Sequence, residues 1–161
     1  EGLPCQILDT RKTTPGWRLV EKYAVRCGGG VNHRIGLYDM FLIKENHITT
    51  AGGVEPAVQR CRQFMAEKGF TAPIEVEAQN LEQVEQAVKL KVDRIMLDNM
   101  SIKAIKSCVR FVNGCIPLEA SGNISLATVR KVAETGVDFI SVGSITHSAA
   151  NFDTSLLITD D

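Results

Sequence analysis

Six short apolar runs, each followed by polar punctuation and then an amphipathic stretch, divide this chain. The runs are Gln6–Leu8, Met40–Ile43, Ile74–Glu77, Arg94–Leu97, Ile116–Leu118 and Phe139–Val142; their length and period predict strands. Between them the apolar spacing turns helical. Thr14 as N-cap and Pro15 at the first helical position predict a helix with Trp17, Leu19, Val20, Tyr23 and Ala24 as its apolar face, ended by Gly28–Gly30. A second helix is predicted over Val54–Lys68, burying Val58, Cys61, Phe64 and Met65. Asn80 caps a third through Val84 and Ala87, and Ser101 a fourth through Ile105, Cys108 and Val112. A fifth spans about Ser125 to Glu134, and the apolar tail Phe152–Ile158 predicts one more strand.

Strands joined by single helices run parallel, because each right-handed crossover returns the chain to the same end of the sheet. A doubly wound sheet and a barrel both satisfy this. No strand is followed by the GxGxxG turn of dinucleotide-binding folds, and the strands are short. The expected fold is therefore α/β: an incomplete, TIM-like parallel barrel of six or seven strands, one domain over residues 1–161 and most of a barrel, since an eightfold barrel needs about 250 residues.

Composition narrows the partners. Eighteen Lys and Arg against 19 Asp and Glu give no overall pull toward nucleic acid or anionic membranes, and no apolar run approaches the ~18 residues of a membrane span. The five cysteines are odd in number and without CxxC spacing, so reduced thiols are expected, with no zinc pattern. Residues 1–50 carry seven of the basic side chains and two of the three histidines.

Those charges fall at strand ends, where parallel α/β folds gather their functional side chains. Thr10, Arg11 and Lys12 follow the first strand, Lys44 the second, Glu77 the third and Asp98 the fourth. Glu119 with Ser121, Gly122 and Asn123 follows the fifth, and Gly143 with Ser144 the sixth; His33 and Arg34 precede the second. Arginine suits bidentate carboxylate or phosphate binding, and the small loops at 121–123 and 143–144 offer backbone N–H groups to a phosphate, with His147 close by. Glu77 and Asp98 suit ribose hydroxyls or a hydrated Mg²⁺ held through water. Plainer readings stand beside these: Glu75 and Glu77 share a strand face and could form a polar layer inside the barrel, Asn99 could be a helix cap, no carboxylate is placed by the sequence to orient His33, and His47 reads as structural.

Seven segments then occur in order: Asp9–Gly16, Gly29–Leu37, Leu42–His47, Glu75–Glu77, Leu97–Asn99, Glu119–Gly122 and Val142–Gly143. Together they resemble the decarboxylating quinolinate phosphoribosyltransferases of NAD biosynthesis. The resemblance implies transfer of a phosphoribosyl group from phosphoribosyl pyrophosphate to quinolinate with Mg²⁺, releasing pyrophosphate and CO₂. It implies that Arg11, His33, Arg34 and Lys44 hold the two quinolinate carboxylates, that Lys12 contacts the phosphoribosyl donor, and that Thr10 is a further substrate-binding residue. Glu77 and Asp98 would face ribose and metal, while Ser121, Gly122, Asn123, Gly143, Ser144 and His147 surround the 5′-phosphate. Lys12, Glu77 and Asp98 are the implied catalytic set. A cytoplasmic homodimer or higher even oligomer is expected, its site completed by an arginine from an N-terminal α/β domain that this chain lacks. The rival expectations are transfer to a different pyridine acid and a non-catalytic barrel fragment that binds ligand only.

Overall fold

The structure, a computed structural model, describes residues 2–159. Its elements run β1 (Gln6–Leu8), α1 (Arg18–Cys27), β2 (Phe41–Ile43), α2 (Glu45–Ala51), α3 (Val54–Lys68), β3 (Ile74–Ala78), α4 (Leu81–Lys89), β4 (Arg94–Asp98), α5 (Ile102–Val112), β5 (Leu118–Ser121), α6 (Val129–Ala133), β6 (Phe139–Ser141) and α7 (Ser144–His147). All six strands are parallel and lie in the order β1-β6-β5-β4-β3-β2. The order climbs without reversing, so there is no switch point of the doubly wound kind. Strand neighbours follow the chain around a circle that is broken only between β1 and β2. The fold is a six-stranded, unclosed TIM-like barrel.

Period-2 alternation gives the two sheet faces opposite chemistry. Ile43, Ile74, Val76, Ala78, Ile95, Leu97, Leu118, Ala120 and Ile140 point outward and pack with Val58, Val84, Ala87, Ile105, Cys108 and Val112 of the helices in one continuous core. The other face, inside the barrel, carries Glu75, Glu77, Arg94, Met96, Asp98, Glu119 and Ser141. This lumen is polar, and the apolar core lies in the outer layer.

The break between β1 and β2 is filled by a loop. Val31 bridges Leu8, its N–H donating to Ile7 O at 2.8 Å while Asp9 N–H donates to Val31 O at 3.2 Å. Beyond it, the buried Asp9 carboxylate receives Lys22 Nζ at 2.5 Å, Asn32 Nδ2 at 2.5 Å and the His33 backbone N–H at 2.8 Å. One carboxylate thereby ties β1, α1 and the seam loop together.

Several elements depart from the sequence expectation, each for a local reason. Helix α1 starts at Arg18, because Thr14–Gly16 forms a turn in which the Thr14 N–H donates to the Glu21 carboxylate at 3.2 Å. Its expected apolar face points outward: Trp17 and Leu19 are 59% and 72% exposed, with Val20 and Tyr23 also exposed. The inward face is Arg18, Glu21, Lys22 and Val25, and Lys22 is buried because Asp9 and the His33 carbonyl, at 3.0 Å, take its protons. Residues 45–51, which lie between the second predicted strand and the second predicted helix, form α2; His47 Nδ1 accepts the Lys44 N–H at 2.9 Å, a structural role for that histidine. Helix α6 is shorter than expected because Ser125–Thr128 closes into a hydrogen-bonded turn, with Ser125 N–H on Thr128 Oγ1 at 3.0 Å. Strand β5 begins after Pro117, which moves Glu119 from the rim into the middle of a strand.

The tail strand expected at Phe152–Ile158 does not form. Those residues have no regular secondary structure and are exposed. The Asn80 and Ser101 caps are as expected, accepting from Gln83 N–H at 3.0 Å and Ala104 N–H at 3.2 Å. All five cysteines are free thiols, and among the described residues no helix is long and apolar enough to cross a membrane.

Candidate active site

The carboxyl ends of the strands form one rim, and most of the expected residues stand on it. At β2 and β3, Lys44 Nζ lies 3.2 Å from Glu77 Oε2. One strand on, Glu77 is in register with Met96, and Asp98 lies two residues further along on the same face; Asp98 is itself in register with Ser121. Asn99 links these ends, donating from Nδ2 to Asp98 Oδ2 at 2.8 Å and accepting from Asn123 Nδ2 at 3.2 Å. The Asn99 N–H donates to Ser121 O at 2.9 Å. Gly122 has φ +101, and a Cβ there would run into the Asn99 side chain, so only glycine lets the two loops approach this closely.

Across the rim, β6 and β1 bring the chain's distant ends together. Thr146 Oγ1 donates to Lys12 O at 2.7 Å. A Cβ added at Gly143 would stand 2.9 Å from His147 Nε2 and 3.9 Å from Lys12 Cδ, so Lys12, Gly143 and His147 share one corner, with Ser144 next in chain. Thr10 is engaged locally, its Oγ1 accepting the Lys12 N–H at 3.1 Å.

Two further cations, Arg11 and Arg34, are partly buried. Arg34 donates to Met40 O at 3.1 Å; burial, followed by the charge of Arg11, lowers its pKa. Arg11 Nε is buried with no hydrogen-bond partner among the described residues. Two guanidiniums crowded together with an unsatisfied donor are arranged to receive an anion.

His33 is placed differently from the rest. The ring is buried, 6% exposed, with Nε2 at 2.9 Å from Glu75 Oε2 and 3.4 Å from Glu119 Oε2. Nδ1 accepts the Arg34 N–H at 2.7 Å. The sequence placed no orienting carboxylate for this histidine; the fold supplies two. The contacts and charges of Glu119 and Glu75 push the ring pKa up and burial pulls it down; the Arg34 N–H bonded to Nδ1 favours the singly protonated ring, with its proton on Nε2. A second ring proton would displace the Arg34 bond at Nδ1. Glu75 is pushed up to about 6, first by burial and then by the Glu119 charge, whereas at Glu119 the His33 contact overcomes burial and lowers the pKa. Arg94 closes the lower end of this polar stack, donating to Glu119 Oε2 at 3.2 Å with its guanidinium 4.4 Å from the centre of the Phe139 ring. Glu75 is the polar-layer residue that the strand alternation allowed, and Glu77 belongs to the rim. Arg94 and Asp9 were missed; the signal for Arg94 was a charged residue at an inward strand position, and for Asp9 a carboxylate directly after the first strand.

Residues 1–157 match the family described as quinolinate phosphoribosyl transferase, C-terminal domain. The chain belongs to this family. It is 45% identical over 170 residues to the chloroplastic nicotinate-nucleotide pyrophosphorylase [carboxylating] of Oryza sativa subsp. japonica, covering 96% of this chain and 46% of that protein. A probable nicotinate-nucleotide pyrophosphorylase [carboxylating] of Synechocystis sp. is 48% identical over 86% of this chain and 47% of its own length. Among solved structures, the nicotinate-nucleotide pyrophosphorylase from Francisella tularensis superposes with a TM-score of 0.87 at 49% identity, covering 92% of this chain and 51% of that one. The chain thus spans about half the length of these relatives.

Proposed function

We propose that this barrel is the catalytic portion of a phosphoribosyltransferase that joins quinolinate to phosphoribosyl pyrophosphate, giving nicotinate mononucleotide, pyrophosphate and CO₂. The observation that carries the reading is the pairing of Arg11 with Arg34, partly buried and like-charged, together with Lys44 at the end of β2. Three cations exceed what one carboxylate requires and match the two carboxylates of quinolinate. His33 supports the reading from beneath, through Arg34, and is the member of the expected carboxylate set whose ring nitrogens face protein groups.

The donor's phosphate fits the corner where Gly143 and Ser144 face Lys12 and His147, and the Ser121–Asn123 loop on the neighbouring strand. Glu77 and Asp98 offer hard oxygens from adjacent strands on one face, which suits Mg²⁺, an ion that keeps several waters and takes one or two carboxylates. Bound there, Mg²⁺ would neutralise charge on the pyrophosphate leaving group. The ring nitrogen of quinolinate attacks the anomeric carbon as the C–O bond to pyrophosphate breaks, through an oxocarbenium-like state. Glu77 and Asp98 stabilise its positive charge, and Lys12 faces the departing anion; positioning and electrostatics dominate over general-base work. The C–C bond to the carboxylate beside the now cationic nitrogen then breaks. Its electron pair stays on the ring carbon, stabilised by that nitrogen, and takes up a proton from solvent. An even-numbered assembly in the cytoplasm, with a further arginine from a second copy, belongs to the same reading; the exposed apolar face of α1 supports it.

Calorimetric competition between quinolinate and nicotinate tests this. Quinolinate is expected to bind at least tenfold tighter, roughly the worth of one additional charge-assisted contact, with the advantage reduced by Lys44→Ala. Equal affinities would point instead to transfer onto a monocarboxylate.

A further inference from the structure

Beneath the rim lies a buried group that the reaction above leaves without a task. Glu75 and Glu119 are both 0% exposed and flank His33 Nε2, and all three ligand-capable atoms lie within 4.8 Å of one another. Both Glu75 oxygens, Glu119 Oε1 and His33 Nε2 lack an aligned hydrogen bond among the described residues. Spacing alone would allow a metal ion. The ring argues otherwise: Nδ1 accepts the Arg34 N–H at 2.7 Å, so its lone pair is engaged and the ring proton sits on Nε2. A histidine nitrogen carrying a proton presents no lone pair to a metal.

We propose that Glu75 and Glu119 are positioning residues: they hold the Nε2–H of His33, and the ring so held fixes Arg34 in the anion pocket. The proposal rests on the quinolinate reading for what the pocket binds, and on geometry for the rest. The main chain of residue 33 is anchored to one wall, its N–H on Asp9 Oδ1 at 2.8 Å and its carbonyl on Lys22 Nζ at 3.0 Å. Its ring reaches across the lumen to β3 and β5, the strands that carry Glu75 and Glu119. No ladder joins β1 to β2, so this side chain acts as a strut across the open side of the barrel. Arg34 is the next residue, and its N–H is bonded to that same ring. The Arg11 charge pushes on the Arg34 guanidinium; a strut that could rotate would release the Arg34 backbone and let the repulsion open the pair. Glu119 is itself braced by Arg94 at 3.2 Å, whereas among the described residues Glu75 has His33 as its one ion-pair partner.

Ring-nitrogen NMR and ligand titrations on the same variants test this. Wild-type His33, assigned through the loss of its signal in His33→Gln, is expected to carry a proton on Nε2 throughout the neutral range. Glu75→Gln keeps an acceptor, so it should preserve that signature and keep quinolinate affinity within about threefold. Glu75→Leu removes the nearer acceptor and leaves Glu119 at 3.4 Å; the Nε2-protonated signal should weaken in favour of the other tautomer and quinolinate affinity fall several-fold, up to roughly the tenfold cost of a buried donor left wholly unpaired. Phosphoribosyl pyrophosphate affinity should not move, a split that general loosening of the fold would not produce. An unprotonated Nε2 in the wild type would overturn the proposal even if the leucine variant did not fold. So would equal losses for both ligands, or a His33 signal that Zn²⁺ or Mn²⁺ alone shifts at stoichiometric amounts. Wild-type protein that does not bind quinolinate would defeat the functional reading only; the tautomer comparison between the two Glu75 variants would still decide the role of the carboxylate.

Discussion

Asp9→Ala is expected to lower the folding free energy by about 3–5 kcal/mol, as removing one partner of a buried ion pair does, a large part of the ~5–15 kcal/mol that holds a domain of this kind together. Asp9 is fully buried and, among the described residues, is the only carboxylate on Lys22, which is itself 3% exposed. Without it the ammonium keeps one carbonyl, at His33, and the Asn32 amide loses its 2.5 Å acceptor. Urea unfolding followed by far-UV circular dichroism measures the loss. The paired substitution Asp9→Leu with Lys22→Met should recover part of it, because the burial cost of both charges disappears together while the Asn32 amide and the His33 N–H still lose their acceptor. A single-variant loss below about 1 kcal/mol would mean that the seam is not held by this pair.

Arg34→Ala is expected to weaken quinolinate binding about 100-fold or more, in line with the ~2–5 kcal/mol cost of truncating one member of a buried charge contact. Arg34→Lys should not restore it, since a point charge cannot reproduce the planar fork. Thermal stability should stay level or rise, because the guanidinium of Arg11 loses a like-charged neighbour. Calorimetry and a melting curve on the same samples separate the two effects. An affinity loss below about threefold would remove Arg34 from the pocket.

The order of elements and the location of the rim were legible because they depend on local period and on topology. Asn80 and Ser101 sit where short polar side chains favour caps, and Lys44, Glu77 and Asp98 end their strands as alternation places them. The interior ionisable network was harder to see. Glu119 read as a rim residue because Ile116 and Pro117 extended the apolar run forward, although proline cannot donate within a sheet. His33 looked unsupported because its carboxylates lie 42 and 86 residues away in the chain (75 − 33 and 119 − 33), a distance no local pattern spans. The orientation of α1 inverted for the same reason: Asp9 decides that Lys22 turns inward, and a helical moment computed from apolar side chains alone points the other way.

That inversion leaves the chain with an optical label of its own. Trp17 is the single tryptophan of the sequence and stands in water on the outer surface of α1. Its emission therefore belongs wholly to that surface: long-wavelength and readily quenched by iodide while solvent reaches the indole, shorter-wavelength and shielded once any neighbouring chain excludes it.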